Sequence, residues 1–174
     1  MAFPTETVYG LGANLLDKKA IARLYKVKER PGGKPFTVHI AGPGQIKALG
    51  CALDGLAKKL ADKFWPGPLT MVLKAKKGGS VGFRMPANKV AIELIKAAGV
   101  PVVAPSANLS GNNPPTSAGE VLRDLDGKID VLIDSGPTDV GVESTVVDFT
   151  AGGFRVLREG ALKREEIEKM LRNE

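Results

Sequence analysis

Apolar positions recur along the chain in two rhythms. Short runs rich in β-branched side chains, A-F near the start and then FTVHI, LTMVL, VGFRM, VPVVA, VLIDS, STVVDF and FRVLR, read as strands. Between them, apolar residues return every three or four positions, as on one helix face. Asp17 is placed to cap a helix running to about Glu29, with Ile21, Leu24 and Tyr25 on one side. Residues 53–64 and 88–98 have the same rhythm. Ser117 and Glu120 have capping-box spacing ahead of Val121 and Leu122, and residues 163–172 carry Ile167, Met170 and Leu171 as one stripe. Strands and helices mix without strict alternation, so the pattern predicts an α/β domain with a mixed sheet.

Length and composition narrow this reading. The 174 residues, 43% hydrophobic and 25% charged, suit one domain with its own core, taken as residues 1–174. No apolar run approaches the length of a membrane helix, and the MAFPTET start lacks a signal-peptide pattern. One cysteine and one histidine rule out a disulfide framework and disfavour a classical zinc cluster, so no metal site is expected and the reading is cytoplasmic.

The net charge of +6 is unevenly placed. Between Lys18 and Lys34 there are seven Lys or Arg against the single acid Glu29, whereas residues 129–149 hold acids and no Lys or Arg. Such a basic patch suits nucleic acid or a phosphorylated small molecule, although charge alone favours a solvated lysine-rich surface. Lys26, Lys28, Arg30 and Lys34 surround a Pro-Gly-Gly break, a loop built to grip something anionic. No P-loop, dinucleotide fingerprint or G-x-S-x-G elbow is present, and His39 by itself reads more readily as a core residue than as a catalyst.

Polar clusters stand at strand ends. VVAPSANLSG exposes Ser106 and Asn108 after a buried-type strand, GVESTVVD sets Ser144 and Thr145 at the start of another, and PTETVYGLG carries Thr5, Thr7 and Tyr9. Small hydroxyls and amides beside glycines allow close approach to ligand oxygens, although the same residues are also common turn formers. In the run from Ser144 to Phe149, Thr145, Val147 and Phe149 alternate with Ser144, Val146 and Asp148, which predicts one core face and one cleft face.

Taken in order, PTETVYGLGA, the K-x-R-P loop (Lys28, Arg30, Pro31), KPFTVHI, FWPGPLT, the arginine of GFRMP, APSANLSG and GVESTVVD resemble the YrdC-type threonylcarbamoyl-AMP synthases. The resemblance runs from Pro4 to about Gly160. It implies a twisted mixed β-sheet with flanking helices around a basic concave cleft, and an enzyme of the nucleotidyltransferase type. The implied reaction joins L-threonine, bicarbonate and ATP into L-threonylcarbamoyl-AMP with release of pyrophosphate, for the threonylcarbamoyladenosine modification of tRNA. Mg²⁺ would arrive with the triphosphate. The implied partners are tRNA or double-stranded RNA and the proteins of the threonylcarbamoyl-transfer machinery, with no membrane.

Carried over to this chain, the resemblance implies that Lys28, Arg30 and Lys34 face the ATP phosphates, the first two as catalytic cations. Ser80, Ser106, Asn108, Pro114 and Arg158 would complete the nucleotide site, and Thr7, His39, Arg84, Ala104 and Ser144 the threonine site. Three features depart from the family. Only MAF precedes Pro4, where a helix and a longer strand are usual, and the second domain of longer relatives is not expected. Arg158-Glu159-Gly160 replaces the usual R-P-G, setting an acid beside an arginine meant for phosphate. The competing expectations are an RNA-binding module without chemistry, disfavoured by 5% aromatic residues, and a carbamoyl-transfer domain.

Overall fold

The computed structural model describes residues 1–33 and 35–172, so Lys34 lies outside the described residues. A two-stranded antiparallel ladder opens the chain, pairing β1 (Ala2–Phe3) with β2 (Gly10–Leu11). There follow β3 (Ala13–Asn14), α1 (Lys18–Val27), β4 (Val38–His39), α2 (Gly44–Ala48), α3 (Gly55–Phe64), β5 (Leu69–Lys74) and β6 (Ser80–Arg84). The remainder is α4 (Lys89–Ala98), β7 (Val102–Val103), α5 (Ala118–Leu125), β8 (Thr145–Asp148), β9 (Arg155–Arg158) and α6 (Arg164–Arg172).

Helix starts follow the capping chemistry of the sequence. The Asp17 carboxylate accepts from the backbone N–H of Lys19 at 2.8 Å and of Ala20 at 3.2 Å, and Asn88 accepts from Ala91 at 3.0 Å. Ser117 accepts from the Glu120 N–H, while the Glu120 carboxylate reaches back to the N–H of Thr116, one residue beyond the usual capping-box partner. The run VLIDS, expected as a strand, contributes only an isolated bridge between Leu132 and Ala2. Ala2 N–H donates to Val131 O and Ile133 N–H to Ala2 O, and because β1 is itself only 2 residues long the pairing ends at that bridge. β2, β3 and α2 were not legible as elements, being only 2, 2 and 5 residues long.

The main sheet has seven strands in the order β3-β7-β4-β6-β5-β8-β9. β4–β6 and β5–β8 are parallel pairs; the other four neighbours are antiparallel. One side of this mixed sheet packs the core. Val38, Leu69, Met71, Leu73, Phe83 and Val147 meet Leu24, Leu60, Val121, Leu125 and Ile167 from the helices there, all buried. Alternation sends the intervening residues to the other side. On β8 that is the side of Val146, with Ser144 just before the strand, as the sequence pattern predicted.

Candidate functional site

The register of the sheet assembles a row of side chains from distant parts of the chain. His39 on β4 pairs with Arg84 on β6, Arg84 with Thr70 on β5, Thr70 with Val146 on β8, and Val146 with Arg158 on β9. Residues opposite one another in a ladder share a face. All five line one cavity of about 160 Å³, which Thr5, Arg30, Thr37, Ala104, Ser106, Glu143 and Ser144 help to close.

Arg158 reaches this face through an irregularity. Val147 pairs with Val156, but Val146 pairs with Arg158, so the register shifts between them and Leu157 is the extra residue. A bulge re-aims the side chain that follows it. Val156 therefore packs toward the core while Arg158 turns into the cavity, a split that strict alternation along FRVLR forbids. Arg158 Nη1 lies 2.9 Å from Glu143 Oε1, and Nη2 donates to the Ser144 carbonyl at 2.9 Å. Glu159, expected to sit against Arg158, turns away to Lys163 and the backbone N–H of Arg164. Gly160 packs so closely on this turn that a β-carbon there would stand 2.2 Å from the Glu143 carbonyl oxygen. No other residue fits.

Arg84 is an unusual cation for a site of this size. It is 4% exposed, and its Nη2 stands 2.9 Å from Oε1 of the equally buried Glu6. Burial pushes the guanidinium below its ordinary pKa, and the Glu6 carboxylate opposes that shift. The pair is poorly aligned: Arg84 Nε and Nη2 and both Glu6 oxygens lack a well-directed hydrogen bond. In the same row, His39 Nδ1 is buried without a well-directed hydrogen bond, although the Thr37 backbone acts weakly on the ring. Buried polar groups are nearly always satisfied, so the exceptions on Arg84 and His39, which both line the cavity, mark a place where a ligand supplies the missing partners. Beside them the hydroxyls of Thr70 and Ser144 lie 2.8 Å apart.

His39 is neutral in this setting. Burial, and then the charge of Arg84, push its pKa down to about 3. In the unfolded chain the value is near ~6.5, so between these limits the unfolded state binds more protons. The stability that His39 contributes is thus complete above pH 6.5 and is lost as the pH falls toward 3, at about 1.4 kcal/mol per pH unit. Unfolding in urea from pH 7 to pH 4 is expected to show this acid limb, and His39→Asn to flatten it. An unchanged limb would place the titration elsewhere.

The cation loop divides. Arg30 lines the cavity, its guanidinium carbon 5.1 Å from the centre of the Phe36 ring. Lys28 is 2% exposed and lies behind the wall, not on it. Its ammonium donates to the carbonyl of Ser106, to that of Asn108 at 2.7 Å and to Asn108 Oδ1 at 3.3 Å. Burial, then the nearby Arg30 charge, lower its pKa to about 8. Lys28 thus fastens the APSAN segment, which is also laced to the opening stretch: Leu11 N–H donates to Pro105 O at 2.7 Å and Ala107 N–H to Tyr9 O at 2.8 Å.

Of the residues expected at a ligand site, the structure gathers Arg30, Ser106, Arg158, His39, Arg84, Ala104 and Ser144 around one cavity. Thr7 is fully buried and supports the wall through Thr5, its hydroxyl 3.0 Å from that of Thr5. Asn108 belongs to the Lys28 tie. Ser80 begins β6, four residues or roughly 13 Å before Arg84, and is exposed. Pro114 lines a separate hollow with Asn112, Thr116 and Arg123. Sequence reasoning missed Glu6, Glu143 and Thr70; the only available signal for the two acids was their place inside PTETV and GVEST. Among the described residues no group of three or more His, Cys, Asp or Glu could hold a metal, and no helix is long and apolar enough to cross a membrane.

Comparison with known proteins gives the same picture of the fold. Residues 1–160 match the Sua5/YciO/YrdC family model, whose description is telomere recombination. A threonylcarbamoyl-AMP synthase of Pyrococcus abyssi is 48% identical over 98% of this chain and 53% of its own length. One from Bacillus subtilis is 43% identical over 98% of this chain and 52% of its own. The crystal structure of P. abyssi Sua5 complexed with L-threonine superposes with a TM-score of 0.92 at 47% identity, over 98% of this chain and 53% of that one. The chain therefore spans about half the length of these relatives.

Proposed function

Because this chain belongs to the Sua5/YciO/YrdC family, we propose that it makes L-threonylcarbamoyl-AMP and pyrophosphate from L-threonine, bicarbonate and ATP, with residues 1–174 acting as one domain. The observation that carries the reading is the row His39–Arg84–Thr70–Val146–Arg158 along one amino-acid-sized cavity, in which His39 Nδ1 and Arg84 Nε and Nη2 are buried without a well-directed hydrogen bond. A homologous protein with the same fold binds L-threonine.

Arg84 offers a guanidinium fork to the amino-acid carboxylate, the geometry that best matches two oxygens. Neutral His39 and the Thr70 and Ser144 hydroxyls supply weaker polar contacts, with the Ala104 backbone closing the side. The threonine nitrogen, once its ammonium has given up a proton to solvent, forms a bond to the carbon of bicarbonate, and water leaves to give a carbamate. A carbamate oxygen then bonds to the α-phosphorus of ATP while the bond from that phosphorus to the bridging oxygen of pyrophosphate breaks. Such a step depends on positioning and on neutralising the phosphate charge. Arg30 and Arg158 reach the cavity for that purpose, with Lys34 in the same loop by sequence and Mg²⁺ brought by the triphosphate. Ser106, held by Lys28, extends the wall toward Asn108. The 2.8 Å bond from Tyr9 N–H to Pro115 O joins the Pro114 segment to the same region, where the nucleoside would lie; Ser80 would act only at its far margin.

The product would feed tRNA modification in the cytoplasm, through the proteins that transfer the threonylcarbamoyl group. A binding module for duplex RNA gives no purpose to a buried Arg84–Glu6 pair and a buried neutral histidine.

The test is pyrophosphate release from ATP with and without threonine and bicarbonate. Both co-substrates are expected to be required. A pocket that pairs with the threonine hydroxyl rejects an isostere lacking it more strongly than a smaller analogue that keeps it. Serine is therefore expected to replace threonine with a modest loss and valine with a loss of roughly 100-fold or more. Release without threonine, or valine performing as well as serine, would overturn the reading.

A further inference from the structure

Among the described residues the cavity wall holds three guanidinium groups, Arg30, Arg84 and Arg158, and one carboxylate, Glu143. A free amino acid carries one negative and one positive group, so a pocket that takes it must offer both signs. The arginines account for the carboxylate. Nothing in the proposed threonine site so far accounts for the ammonium.

We infer that Glu143 is the group that receives the amino-acid ammonium, an inference that rests on the reading of the cavity as an amino-acid site. Glu6, the other acid nearby, stands outside the cavity wall and is covered by Arg84. Glu143 is about one-third exposed and faces the cavity. Its position is fixed from two sides. Arg158 bridges its Oε1 and the Ser144 carbonyl, both at 2.9 Å, and Gly160 packs against its backbone at a distance only glycine allows. The next residue, Ser144, lines the same cavity and touches Thr70, the register partner of Arg84. A carboxylate and an arginine thus flank the Thr70–Ser144 hydroxyl pair. A zwitterion laid across it meets opposite charges at its two ends.

This arrangement explains an otherwise costly choice. A glutamate in a cavity that must also accept a triphosphate repels the phosphates, and Arg158 offsets it only in part. The acid is useful if a cation arrives there first. Its chemical class is a primary ammonium α to a carboxylate, which the same pocket distinguishes from a hydroxy acid that lacks the amine.

The probes are L-threonine and 3-hydroxybutyrate, which is threonine without its amine, measured by calorimetric binding to the full chain. The unaltered protein is expected to prefer threonine by roughly ten-fold or more, the size of one charge-assisted contact. Glu143→Gln is expected to remove most of that preference by weakening threonine alone, and Glu143→Asp to restore part of it. Circular dichroism and urea unfolding report whether each variant is folded. If Glu143→Gln is folded and keeps the full preference, this inference is overturned while the amino-acid site stands. If threonine fails to bind the unaltered protein, the amino-acid reading falls and this inference with it.

Discussion

Replacing Arg84 with alanine is expected to abolish threonine-dependent pyrophosphate release and to destabilise the fold together. The two losses have different origins. On the proposed reading activity falls because the fork assigned to the amino-acid carboxylate is gone, and among the described residues no other arginine stands in the same register position beside His39 and Thr70. Stability falls because Glu6, 5% exposed, is left as a buried charge without its counter-ion. Breaking a buried pair from one side costs about 3–5 kcal/mol. Replacing both partners by groups of similar volume is often close to neutral. The double variant Arg84→Met with Glu6→Gln should therefore recover most of the stability, read from urea unfolding, and none of the activity. Threonine-dependent turnover by folded Arg84→Ala would refute the assignment, and no recovery in the double variant would refute the account of the pair.

Lys28→Met carries the second large effect, and it separates two roles for that lysine. If the ammonium acts directly on phosphate, as the loop sequence suggests, the variant should keep its stability and lose nucleotide binding. The structure points the other way: the ammonium is spent on three oxygens of Ser106 and Asn108. Orphaning buried acceptors and removing a charged donor costs about 3 kcal/mol or more. Lys28→Met is therefore expected to lower stability by that amount and, by loosening Ser106 in the wall, to reduce turnover roughly ten-fold or more. Arg30→Ala is the contrast, since Arg30 lines the cavity and stacks on Phe36. It should weaken nucleotide use with little change in unfolding. Equal stability of Lys28→Met and the unaltered protein would return Lys28 to the phosphates.

Both experiments turn on charges whose surroundings differ from what their spacing implied. Lys28 and Arg30 are two residues apart in one basic loop, yet one is a buried strut and the other a cavity wall. Glu6 and Glu143 sit inside motifs read for their hydroxyls, and each is the acid partner of an arginine in the cavity. Glu159, the acid that the sequence set against Arg158, caps the following helix instead.

The sequence by itself determined what is local. Asp17, Asn88 and Ser117 start their helices because a short acceptor side chain meets the free N–H groups of a first turn within three residues. The core and cleft faces of β8 follow from the two-residue period of a strand. The long motifs also carried the family, with its fold and the positions of Arg84, His39 and Ser144. Tertiary structure alone decided which of these residues meet. The row from His39 to Arg158 spans 119 positions of the chain and exists only because β4, β6, β5, β8 and β9 lie side by side in one register. Strand order is set by packing between distant segments, and the shift at Leu157 that turns Arg158 into the cavity is a property of the β8–β9 pairing. The burial of Lys28, Glu6 and Arg84 has the same origin. A charged side chain carries no local mark of being buried, because the partners that make burial tolerable arrive from elsewhere in the chain.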